Sequence, residues 1–85
     1  MTFDGAVVTE QGVTFAIVVV NSSATSNQNT IANAQRDFSS FFPNIPIILM
    51  HQDANGVPTY YGRKDIVEFL ANVCFEQIPW QRYTA

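Results

Sequence analysis

His51, Asp53 and a run of hydroxyls upstream of them are the side chains in this sequence whose chemistry is most suggestive. His51 ends an apolar run and stands two positions before Asp53, so an imidazole and a carboxylate able to orient it are sequence neighbours. Imidazole exchanges protons near neutral pH, and a hydroxyl beside it gains nucleophilic character. The hydroxyls lie earlier, in Asn21-Ser22-Ser23-Ala24-Thr25-Ser26-Asn27. A catalytic set would therefore be His51 with Asp53 and Ser22 or Ser23, with Ser26 a third choice of nucleophile. No Gly-x-Ser-x-Gly elbow and no second histidine accompany it, and a strand-end histidine is ordinarily a hydrogen-bonded surface residue.

The same loop precedes a helical pattern, so it joins free backbone N–H groups and hydroxyls to the positive end of a helix dipole. Asn21, Ser22, Ser23, Thr25, Ser26 and Asn27, with His51, are thus the candidate binding set for a small anionic ligand. The plain alternative is a helix start capped by its own side chains, and the glycines of a phosphate-binding loop are missing. A metal would have to be held by His51, Asp53 and Asp4 or Glu10, without paired ligand spacing, so neither a metal nor a cofactor is expected. Cys74, between Val73 and Phe75, reads as a core residue, and a single cysteine offers no disulfide.

Which elements would position these groups follows from the hydrophobic pattern. Asp4–Glu10 and Val13–Val20 read as two strands joined at Gln11-Gly12, the second nearly devoid of alternation, as befits a central strand. Thr25 and Gln28 have capping-box spacing, and Ile31, Ala34, Phe38 and Phe41 or Phe42 form an apolar stripe, predicting a helix over 26–41 that ends before Pro43. Ile45–His51 reads as strand three. Asn55-Gly56 is a tight-turn signal leading to strand four at Val57 to Tyr61 or Gly62, where Pro58 argues for a sheet edge. Lys64–Val73 reads as a second helix, and the aromatic stretch after Phe75 as an irregular segment docked on the core.

The expectation is a single α/β (α+β) domain over residues 1–85, a two-layer ββαββα fold with a four-stranded mixed sheet in the order 1-2-3-4. The first helix is long enough to return the chain across the sheet, which makes strands two and three parallel and central. Their carboxyl ends then share one rim, placing the 21–27 loop beside His51 and Asp53.

Composition narrows the partners. A net charge of −3 with only four basic residues has the wrong sign for a nucleic-acid surface. The longest apolar run is too short to span a membrane, and the start of the sequence carries no secretory pattern, so a cytoplasmic protein is expected. At 85 residues the core is marginal, and self-association would stabilise it. Tyr60, Tyr61 and Arg63, at or just past the edge strand, have the composition partner surfaces favour, and Trp80 offers a second such surface, with simple core cover as its commoner role. Strand alternation predicts one tyrosine facing the core and one facing out. The opposite reading is that Pro58 and Arg63 discourage edge pairing.

The segment Ile45-Pro46, an apolar strand, a glycine turn, a strand ending at Gly62 and a helix with Phe69-Leu70 resembles the C-terminal half of thioredoxin-like domains over about 30 residues. Where such domains place redox cysteines, this chain has Ser22-Ser23-Ala24-Thr25. The stretch Pro58-Thr59-Tyr60-Tyr61-Gly62-Arg63-Lys64-Asp65-Ile66-Val67, with Phe69-Leu70 and Ile78-Pro79-Trp80, resembles a group of short bacterial proteins of unassigned function, which implies a bacterial-type protein and no particular chemistry. The expected function is that of a protein-interaction or homo-oligomeric module rather than an enzyme. The alternative is a small-molecule or anion binder, or an enzyme, acting through the 21–27 loop with His51 and Asp53.

Overall fold

The computed structural model describes residues 2–84. Strands β1 (Thr2–Glu10) and β2 (Val13–Val19) lead into helix α1 (Gln28–Phe38), strands β3 (Ile47–Gln52) and β4 (Pro58–Tyr61), helix α2 (Lys64–Leu70) and strand β5 (Gln81–Thr84). Short 3-10 turns occupy Ser22–Thr25 and Phe75–Gln77. The strands form one mixed sheet in the order β4-β3-β2-β1-β5, with β2 and β3 parallel and the other neighbours antiparallel.

The apolar runs dictate the layering. In β2 and β3, successive residues Phe15–Val18 and Ile47–Met50 are all buried, so side chains leaving both faces of the sheet must be covered. On one face Phe15, Ile17, Ile48 and Met50 meet Ile66 and Leu70 of α2. On the other, Ala16, Val18, Ile47 and Leu49 meet Phe38 of α1, Phe42 and Phe3. The fold therefore has three layers, with the sheet between two helices, instead of the expected two.

The sheet also has five strands, not four, and β1 lies inside it instead of at its edge. The cause is the C-terminal segment, expected to dock irregularly, which pairs along β1 with Thr84 opposite Thr2 and Tyr83 opposite Phe3. Tyr83 gains the stacking surface of Phe3, and Arg82 forms an ion pair with Asp4, its partner in register. An aromatic side chain that finds a neighbour at every second position stabilises a strand better than an irregular path over the same surface.

Helix boundaries move for capping reasons. Asn27, not Thr25, caps α1: its side chain accepts the Thr30 N–H at 3.0 Å and the Thr30 hydroxyl answers its backbone N–H at 3.2 Å. The helix ends at Phe38, short of the expected Phe41. Helix α2 stops at Leu70, so Cys74 falls beyond it and is exposed, contrary to its reading as core.

Candidate functional site

The rim formed by the two parallel strands exists. Val19 lies opposite Met50, and the Val20 N–H donates to the Met50 carbonyl at 2.9 Å, so the two strands deliver the 21–27 loop and His51 to the same border. The loop's polar groups, however, are spent on the loop itself. The Asn21 Oδ1 accepts the N–H groups of Ser23 and Ala24 at 3.1 and 3.3 Å and also the Ser23 hydroxyl. The Thr25 hydroxyl donates to the Ser22 carbonyl at 3.3 Å and the Ser26 hydroxyl to the Ser23 carbonyl at 3.1 Å. Among the described residues, Ser22 has the one hydroxyl of this loop without a partner in the chain.

His51 is half-buried and lies opposite Thr59. Its ring makes no hydrogen bond to Asp53, Ser22 or Ser23 among the described residues. The Asp53 Oδ1 instead accepts the N–H groups of Asn55 and Val57 at 2.8 and 3.0 Å, an Asx-type closure of the hairpin loop. The structure thus gathers the strand ends but assembles no nucleophile, base and orienting acid in contact. No cluster of three or more metal-ligating side chains occurs among the described residues. A hollow beside the rim is walled by Phe3, Val19, Val20, Ala34, Phe38 and Phe41, with Asp37 as its charged group, a lining ill suited to an anion.

The other open feature is the β4 edge. This strand pairs with β3 on one side only. The hydrogen bond from Asp53 N–H to the Val57 carbonyl, 3.0 Å, sets the phase of the ladder, so Thr59 and Tyr61 bond inward to β3 while the backbone of Pro58 and Tyr60 faces outward. Pro58 brings no donor to that outward side. Tyr60 packs toward α2 and Tyr61 toward α1, both half-buried, so the expected outward tyrosine is missing: with both sheet faces covered, neither alternate position is open. Arg63 is exposed, and its guanidinium grips Asp65 with two hydrogen bonds of 2.7 and 2.8 Å. Those hydrogen bonds lower the Asp65 carboxyl below the usual carboxylate range and raise the Arg63 guanidinium. Trp80 is not at this edge surface; it packs half-buried on the α2-side core, its Nε1 donating to the Phe75 carbonyl at 3.0 Å.

Both helices leave room beside this edge. A groove of about 480 Å³ runs between Gln28, Ile31 and Gln35 on one flank of α1, Tyr60 to Gly62, and Lys64 and Val67 of α2. A second cleft of about 500 Å³ lies between Pro58 to Tyr60 and the apolar side chains of Val67, Leu70, Val73 and Phe75. Tyr60 and Val67 border both. The junction is fixed by Gln35, whose Nε2 donates to the Ile47 carbonyl at 3.2 Å, and by Gly62, where φ is +154° and a Cβ would come within 2.6 Å of Ile48 Cδ1. Desolvation raises the Tyr60 hydroxyl above its ordinary pKa, and the oxygen is buried without a hydrogen-bond partner among the described residues.

Tyr60, Tyr61 and Arg63, expected at a partner surface, do line this groove, whereas its α1 wall is not marked as such in the sequence. Gln28, Ile31 and Gln35 do show three- and four-residue spacing, which puts them on one flank of a helix, but only the sheet order reveals that this flank borders β4. Compared with family models, curated proteins and solved structures, the chain matches none.

Proposed function

We propose that the chain is a protein-interaction module that takes up an extended polypeptide segment along the open edge of β4. The observation that carries this reading is the combination of unpaired edge backbone with two clefts that border it. An added strand gains main-chain hydrogen bonds from the edge, and the clefts bordering it receive its side chains. A bare edge without clefts would offer the hydrogen bonds but no selectivity. The ligand-binding reading of the rim has less support, since the loop side chains that would hold an anion already cap their own backbone.

The test is selection of peptides from a random displayed library against the ¹⁵N-labelled protein, followed by NMR titration of the enriched peptides. Supporting results are shifts at Thr59 to Gly62 and along Gln28, Ile31 and Gln35, with slowed exchange of the Tyr60 amide. Peptides that move only residues 21–27 and His51 would transfer the function to the rim.

A further inference from the structure

We infer that the extended segment received at the β4 edge is β4 of a second copy of this chain, the two strands pairing antiparallel about a two-fold axis at Tyr60; this rests on the edge reading above and names its partner. Every peptide bond among the described residues is trans, so a carbonyl that points inward sends the next N–H outward. Val57, Thr59 and Tyr61 bond inward to β3, which leaves the Pro58 and Tyr60 carbonyls and the Tyr60 and Gly62 N–H groups on the open side. The carbonyl before them, on Gly56, is already taken by the Gln52 Nε2 at 3.0 Å. Along the strand the open groups therefore run acceptor, donor, acceptor, donor.

Turned end for end, that row is its own complement. With Tyr60 opposite Tyr60 of the second copy, the two residues exchange both hydrogen bonds, and each Gly62 N–H meets a Pro58 carbonyl, so no open group is left over. Moving the axis to Thr59 sets each Tyr60 carbonyl against a proline nitrogen, which has no proton to give. The ends of the edge also differ in charge: Asp53 closes the loop where β4 begins, and Arg63, Lys64 and Asp65, with one positive charge between them, follow where it ends. Antiparallel pairing sets each negative end beside a positive one, whereas parallel pairing sets like beside like. Val57, at 56% the most exposed large apolar side chain among the described residues, then comes beside Arg63 of the second copy, whose methylene stem covers it. The five-stranded sheet continues unbroken from one copy into the other.

The experiment uses the intact chain, mixed from ¹³C-labelled and unlabelled copies. Sedimentation velocity is expected to show the mass rising from one chain to two between about 10 μM and about 1 mM, the weak range of so short an edge. At the upper concentration an isotope-filtered NOE should join the α-protons of Thr59 and Tyr61 on different copies, since these non-hydrogen-bonded positions face each other when the axis lies at Tyr60. Val57→Lys, at a site open enough to leave the fold intact, sets a lysine against Arg63 twice per dimer and should weaken association about ten-fold. A chain that stays monomeric at about 1 mM while library-selected peptides move β4 would overturn the second copy and leave the edge reading standing. A dimer without the Thr59 to Tyr61 contact, or one indifferent to Val57→Lys, would overturn the proposed pairing. Absence of both dimer and peptide binding at β4 would sink the edge reading itself.

Discussion

The ring of Tyr83 lies stacked on that of Phe3, centroids 5.3 Å apart and planes 13° from parallel, on strands that pair at those two positions. Tyr83 thereby anchors a strand of only four residues to the interior of the sheet. Tyr83→Ala should cost about 2 kcal/mol, below the figure for a fully buried aromatic because Tyr83 is half-exposed. Urea unfolding measures the cost, and a loss under 0.5 kcal/mol would mean that β5 is held by its backbone alone.

Gly62 should not tolerate a side chain. An added Cβ meets Ile48 Cδ1 at 2.6 Å and the Ile47 carbonyl at 3.1 Å, and the residue's φ of +154° is itself strained for alanine. Gly62→Ala is expected to destabilise by about 2–3 kcal/mol. An unchanged urea midpoint would contradict the close packing of this junction.

Tyr60 gives a pH signature. Its folded-state pKa lies above the ordinary value of 10.0, so near and above that pH the unfolded chain loses the proton first. Stability from this group is complete below about pH 10 and declines as the pH rises toward the folded value. Tyr60→Phe should flatten this alkaline decline and leave neutral-pH stability equal or higher, because it removes a buried hydroxyl that has no partner. Melting curves between pH 8 and about pH 11 decide, and an undiminished alkaline decline in the variant counts against the assignment.

Asp65 gives the opposite sign and a smaller effect. Its carboxyl is lowered by hydrogen bonding to Arg63, so the stability it contributes is present above the ordinary carboxylate pKa and fades as the pH falls through the folded value. The pair is exposed, so Asp65→Asn should alter only the acid limb of the stability curve and leave neutral pH little changed.

Cys74 should be modified by a thiol reagent in the native protein, one equivalent per chain, without prior unfolding. Cys74→Ser should shift stability by no more than about 0.5 kcal/mol. Protection of the thiol until urea unfolds the chain would return it to the core.

Much of the framework was legible because strongly apolar segments state their own requirements. The nearly continuous apolar run at Val13–Val20 demanded a covered central strand, and the helix length between it and Ile45 demanded a parallel return, which is what β2 and β3 show. The same run held the information for a third layer, since a strand with no polar face needs cover on both sides. The tail was harder. Gln81-Arg82-Tyr83-Thr84 is polar and short, and its strand character comes from Phe3 and Asp4, some eighty residues away. At the rim, the residue types admit two readings, cap formers or ligand donors, and which of the two applies depends on whether Asn21, Ser23 and Asn27 bond to their own backbone. The edge grooves depend on which flank of α1 overhangs β4, a matter of tertiary placement that no local pattern encodes.

Pairing of Thr2 with Thr84 has a kinetic corollary. Bringing these positions together closes a ring of nearly the whole chain, whereas the β1–β2 hairpin and the β3–β4 hairpin each close over a few residues. The entropy lost in that closure favours assembly of the four inner and β4-side strands first, with the last strand zipping on late and being the first to detach. Amide exchange under native conditions would then find the inner ladders protected while Gln81 to Thr84 exchange through a partial opening of the sheet.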